Sequence, residues 1–123
     1  MPNNCTLLFN GGSFLNGTLK LNNTRILLAN ESFKSSLDVS GTVSNSIVES
    51  AWWEMPENDC FPQIKRIIAV SNSSEKPIYF KKGTYTLLND GTDNTIIKQS
   101  VDFGGSTFIL DTNKLLHFSL IVR

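Results

Sequence analysis

The sequence predicts an all-β chain of many short strands with one helix set among them, and three observations carry that expectation. Apolar runs of three to five residues recur from the N-terminus onward, each closed by Asn or Gly. Hydrophobic residues make up 40% of the chain, with Phe at 8, and Asn, Ser and Thr dominate the polar remainder, which favours a packed β core over disorder. Only one stretch, 61–70, repeats its apolar residues at helical spacing.

The first strands read as Thr6-Leu7-Leu8-Phe9, Ser13-Phe14-Leu15, Thr18-Leu19-Lys20-Leu21 and Thr24-Arg25-Ile26-Leu27-Leu28. Between them stand Asn10-Gly11-Gly12, Asn16-Gly17 and Asn22-Asn23, residues that tolerate left-handed backbone at a bend. Asn-Gly between alternating runs also suits a hairpin, so an antiparallel meander or sandwich stays open beside a coil-like winding. Strands this short with a bend after each fit coils better. Leu37-Asp38-Val39, Val43 and Ile47-Val48 continue the pattern, with Gly41 as a break. At Ala51-Trp52-Trp53-Glu54 the chain changes character.

Asn58-Asp59-Cys60 offers an N-cap, Pro62 sits where a first helical turn tolerates it, and Ile64, Ile67 and Ile68 give a helical apolar face. Ser71-Asn72-Ser73-Ser74 reads as the loop that ends this helix. Apolar strand-like runs follow at Lys76–Phe80, Thr84–Leu88, Thr95–Ser100, Val101–Phe103, Ser106–Leu110 and Leu115–Val122. Phe103-Gly104-Gly105-Ser106-Thr107-Phe108 echoes Phe9-Asn10-Gly11-Gly12-Ser13-Phe14, which hints at repeated structural units.

A length of 123 residues fits one domain, 1–123. Lys+Arg and Asp+Glu are 11 each, so there is no basic field for a nucleic-acid backbone or an anionic membrane surface. No apolar run approaches the length of a membrane span, and the N-terminus lacks the basic start and apolar core of a signal peptide. Cys5, Cys60 and His117 have no zinc spacing, and the chemistry points to no cofactor. Two free thiols are the favoured state of the cysteines over a disulfide. N-x-Ser/Thr sequons at Asn4, Asn16, Asn22, Asn30 and Asn72 arise readily by chance in so Asn- and Thr-rich a chain.

Four groups of side chains invite chemistry. Trp52 and Trp53 are adjacent and on a strand would face opposite sides, leaving one ring outward to stack on a sugar. The plainer reading has both anchoring the helix. Asp90 and Asp93, with Asp102 nearby, are hard-oxygen donors suited to Ca²⁺ or to sugar hydroxyls, although Asp90-Gly91-Thr92-Asp93 also reads as an ordinary turn. Glu54, Glu57 and Asp59 could supply an acid/base pair, and read more simply as a solvated rim. His117 alternates with apolar neighbours and reads as a strand surface residue rather than a base.

The order Trp-Trp, Asn-Asp, short helix, Pro-Ile-Tyr-Phe-Lys-Lys-Gly-Thr-Tyr-Thr-Leu-Leu and Val-Asp-Phe-Gly-Gly-Ser-Thr-Phe-Ile-Leu-Asp resembles the opening of right-handed parallel β-helix proteins of the pectate-lyase-like superfamily. The upstream Phe-Asn-Gly-Gly-Ser-Phe and Ser-Gly-Thr-Val-Ser-Asn segments are similar to those preceding the cap in phage tail or spike and gut-bacterial surface proteins. The resemblance runs from about Thr6 to Val122. It implies a short β-solenoid, the helix near 61–70 capping one end, and a place on a virion tail or fibre or a bacterial cell surface.

Function then reads as a non-enzymatic structural or attachment module presenting or joining a glycan-recognising part. A fragment of a polysaccharide lyase or hydrolase and a small lectin are the rivals. No position matches a catalytic residue of the family, so none is assigned. Outside the helix region, ninety-odd residues give about three to four coils of roughly 20–30 residues. So short a stack exposes apolar interior and strand edge at its ends, which predicts a homo-oligomer. A trimer is what the resemblance implies.

Overall fold

The computed structural model describes residues 1–9, 16–28, 31–88, 94–110 and 117–120. They form mostly strands with one α-helix. In chain order these are β1 (Thr6–Phe9), β2 (Gly17–Leu28), β3 (Leu37–Val43), β4 (Val48–Glu49), α1 (Phe61–Ser74), β5 (Ile78–Tyr79), β6 (Thr84–Leu87), β7 (Asn94–Ile97), β8 (Val101–Asp102), β9 (Thr107–Leu110) and β10 (His117–Leu120). The sheets are short, ordered β1-β2-β3, β4-β5-β8, β6-β9 and β7-β10. Every strand pair among them is parallel. The hairpins that an antiparallel sandwich requires are absent from the described residues.

The spacing between partners is regular. Thr6 lies opposite Arg25, Gly17 opposite Leu37, and Phe33 bridges to Trp53, each about twenty residues apart. After the helix, Ile78 faces Val101, Thr84 faces Thr107 and His117 faces Asn94, each 23 apart. Only Val48 to Ile78 is longer, at 30. Helix geometry accounts for the excess: 14 residues at about 1.5 Å each cover roughly 21 Å, which a strand spans in about six residues. Roughly eight residues are therefore added wherever a helix takes the place of a strand.

α1 does take that place. An α-helix uses its own backbone groups internally, so the strand edges beside it need side chains as partners. On one flank the Val43 N–H donates to Ser74 Oγ (2.9 Å) and Arg66 donates to the Ser35 carbonyl (2.8 Å). On the other, the Lys98 N–H donates to Asn72 Oδ1 (3.1 Å) and Asn72 Nδ2 donates to the Ile96 carbonyl (2.9 Å). Gln63, fully buried, donates to the carbonyls of Glu54 (2.9 Å) and Phe33 (3.3 Å). The helix expected near 61–70 runs on to Ser74, with β3 and β7 both packed against it. Phe61, Ile64, Ile67 and Ile68 form its buried face, as the spacing predicts.

Its ends follow local chemistry. Pro62 occupies the first turn, and Asp59 Oδ1 accepts from the N–H groups of Phe61 (2.9 Å) and Leu88 (3.0 Å), tying the helix start to β6. Glu75, left-handed at φ 56°, closes the far end with its N–H on the Ser71 carbonyl. The helix is not long and apolar enough to cross a membrane.

The break expected at Asn22-Asn23 is a bulge within β2, where the register shifts between Leu21 and Thr24. Asn4 and Asn23 adopt left-handed backbone there, at φ 62° and 48°. Their side chains bond to each other, and the Asn23 N–H donates to Thr42 Oγ1 at 2.7 Å. Asn45 serves the next position by bonding both the N–H (2.8 Å) and the carbonyl (3.1 Å) of Ile26, as a strand neighbour would. Buried Ile26, Val39, Val48, Ile67, Ile78 and Leu87 belong to one continuous core. Toward the C-terminus aromatic rings extend this core to the surface: exposed Phe103 stacks on buried Phe80 with centroids 5.6 Å apart, and half-buried Phe108 stacks on buried Tyr85 at 5.2 Å. Gly104 and Gly105 make the bend between Phe103 and Phe108, whereas the echoing Gly11-Gly12 lies outside the described residues.

Candidate functional site

Trp52 and Trp53 do not split between core and solvent. Both are buried, at 6% and 2% exposure. The reason is local: Ser50–Trp52 form a single 3-10 turn, which breaks strand alternation just before Trp53 enters its bridge to Phe33. Trp53 packs edge-on against Phe33 at 5.3 Å and lies 6.1 Å from Trp52. Neither ring is presented for stacking on a sugar. The Trp53 indole N–H is buried with no hydrogen-bond acceptor, a state that costs on the order of 1–3 kcal/mol. Asp90 and Asp93 lie outside the described residues, as does the side chain of His117.

Two of the three carboxylates ahead of the helix, Glu54 and Asp59, serve the backbone. Glu54 accepts from the Ser35 N–H (3.1 Å) and pairs with Lys34 at 3.4 Å. The Ser35 N–H, aided by the Lys34 ammonium, holds its carboxyl below the usual range against a modest opposing effect of burial. A general acid needs the opposite shift. Asp59 is engaged at the helix start, and Glu57 is exposed. Because the folded-state pKa of Glu54 lies below the unfolded one, its stabilisation is present above the ordinary carboxylate range and fades as pH falls through the folded value. Glu54→Gln is therefore expected to flatten the acid limb of the stability profile. The effect stays below about 1 kcal/mol, since the pair is more than a third exposed. Urea midpoints at neutral and acid pH measure it: wild type should lose more than the variant between them.

Cys5 and Cys60 are both free thiols. Burial pushes the Cys60 thiol up, with the Asp59 carboxylate adding to the shift, and its sulfur lies 3.2 Å from the Pro56 carbonyl. It is a packed thiol, not a nucleophile.

The surface offers a different constellation. Across β4, β5 and β8 an open cleft of about 210 Å³ is lined by Ile47, Pro77, Tyr79, Ser100 and Asp102 over Ile78 and Val101. Tyr79 is 37% exposed, and parallel register sets it between Glu49 and Asp102. Asp102 Oδ1 accepts from the Gly104 N–H at 2.9 Å, which fixes the carboxylate at the cleft edge. An aromatic ring, a hydroxyl and an oriented carboxylate around an apolar floor are the groups that hold a sugar ring by its C–H face and its hydroxyls.

Sequence reasoning passed over Tyr79 and Ser100 and weighed Asp102 only beside Asp90 and Asp93. Period-two alternation of Tyr79 between buried Ile78 and Phe80 is the signal that marks its ring as outward. No protein-family model, no curated protein and no solved structure matches this chain, so the cleft stands on its own geometry.

Proposed function

We propose that the chain is a non-enzymatic structural or attachment module, a short right-handed parallel β-helix of a phage tail, spike or fibre or of a bacterial surface protein. The carrying observation is the succession of parallel pairings about 20 to 23 residues apart, lengthened to 30 only where the helix intervenes. Parallel strands joined in this way need crossovers, and crossovers of one sheet are right-handed in nearly all proteins. Each strand is then held by its neighbours along an axis, a form suited to presenting a surface at fixed geometry. The module self-associates, a trimer being the form its resemblance implies. Its ligand is a surface glycan, and the Tyr79–Ser100–Asp102 cleft is the place for a sugar ring.

The test is retention on a panel of immobilised bacterial surface polysaccharides, with the soluble fraction assayed for new reducing ends and unsaturated uronates. Wild type is expected to be retained on at least one polysaccharide without shortening it. Tyr79→Ala should weaken retention about tenfold, since loss of a stacking ring is worth roughly 1–2 kcal/mol. Retention unchanged by Tyr79→Ala would remove the cleft from the reading. Released reducing ends or uronates would favour the fragment of a lyase or hydrolase instead.

A further inference from the structure

Where β1 and β2 pair at their C-terminal ends, Leu7-Leu8-Phe9 beside Ile26-Leu27-Leu28, both strands read as continuous apolar runs. Leu7 and Ile26 are paired in register toward the core. Leu8 and Leu27 are paired on the outside, where they are 63% and 39% exposed. Adjacent β3 behaves otherwise: Leu37, Val39 and Val43 point inward, and Asp38, Ser40 and Thr42 take the positions between them. A parallel sheet whose strands read as continuous apolar runs is normally covered on both faces, whereas alternation marks a face made for water. At this end the outer face, Leu8 beside Leu27, thus has the composition of a covered surface, while Thr6, Thr18, Lys20 and Arg25 hold the exposed positions before it.

Its shape and charge say what covers it. Leu8, Leu27 and Leu28 border an open groove of about 380 Å³, closed by Asn45, Glu49 and Trp52 over Ile26. Arg25 is exposed on the strand-start side of Leu27, and Glu49 is exposed where β4 ends in the same groove. Neither is in an ion pair among the described residues. A partner of uniform charge would meet repulsion from one of these two. A surface with one cation and one anion flanking an apolar patch is complementary to itself, and zero net charge removes long-range repulsion between copies.

We propose that a second copy of this chain docks on this face through the same residues, Leu8 and Leu27 of each copy entering the other's groove and Arg25 of one facing Glu49 of the other. The inference deepens the self-association of the proposed function by naming its surface. A same-patch contact of this kind is the commonest way that soluble chains pair. A standard interface takes about 800 Å² per partner, roughly a ninth of the 7134 Å² surface, so the rows flanking the leucines join the contact.

Light scattering and sedimentation of the full chain across a wide concentration range test it. Wild type is expected to associate at micromolar concentration. Leu8→Lys and Leu27→Lys should each weaken association about tenfold or more with unchanged circular dichroism and melting, because both side chains are exposed. Arg25→Glu alone should weaken it, and Arg25→Glu combined with Glu49→Arg should restore it. Association indifferent to all four substitutions would overturn this surface and leave self-association standing through another. A monomer at high micromolar concentration would overturn both, while retention on polysaccharide would still report separately on the cleft.

Discussion

Ile67→Ala is expected to lower the stability of the chain by about 2–5 kcal/mol, and Ile67→Asp to prevent cooperative folding. Ile67 is fully buried at the centre of the helix face formed with Phe61, Ile64 and Ile68. That face meets core from strands on both sides of it, since α1 stands between β3 and β7. Truncation therefore opens a cavity that neither sheet can close without disturbing its own ladder, which places the cost in the upper part of the range. A buried aspartate adds an uncompensated charge to the same cavity. Chemical denaturation followed by circular dichroism measures the first variant, and loss of the sigmoidal transition identifies the second. An Ile67→Asp protein that melts at the wild-type temperature would mean that the helix is dispensable to the core.

The second large effect is expected at Gly41. Its φ is +105°, and a Cβ placed there would lie 2.0 Å from the carbonyl oxygen of Leu21, its register partner on β2. Gly41→Ala must either move the backbone of β3 or part the ladder, at about 1–3 kcal/mol for overpacking. The forced conformation costs about 1–3 kcal/mol more. Gly17 provides an internal control, because it has a similar φ of +111° with nothing within 4 Å of the added atom. Gly17→Ala should therefore show the conformational cost alone, and the difference between the two urea midpoints isolates the clash. Equal losses in both variants would show that β2 and β3 are less closely packed at Leu21 than the structure has them.

Much of this architecture is legible in the sequence because it depends on local rules. Pro62 and the spacing of Ile64, Ile67 and Ile68 locate the helix, and short runs punctuated by Asn and Gly locate most strands. Misreadings occur where a distant partner decides a local matter. Ser71-Asn72-Ser73-Ser74 has the composition of a loop, since these side chains compete with their own backbone. In the fold, Asn72 and Ser74 instead bond strand backbone at Ile96, Lys98 and Val43, and the helix runs on through them. Asn22-Asn23 reads as a strand end for the same reason, yet the ladder to β3 resumes at Thr24. Trp52 and Trp53 mislead because alternation holds only for extended backbone, and a 3-10 turn of three residues is too short to announce itself. The cleft at Tyr79 was concealed differently: its residues come from three strands that only register brings together.

The helix that takes a strand's place also has a kinetic meaning. Ladder bonds between neighbouring strands form and break as a set, so each group of parallel strands opens as a unit. At α1 the chain's two sets of strands are joined through Asn72, Ser74, Arg66 and Gln63 rather than through shared ladder bonds. Such contacts end at single side chains and can let go one at a time. The helix is thus the natural boundary between two cooperative units, with β1, β2 and β3 on one side and β6, β7, β9 and β10 on the other, bridged mainly by the short β4–β5–β8 ladder. Under a pulling force the chain is expected to yield first at that boundary, which makes α1 its mechanical fuse.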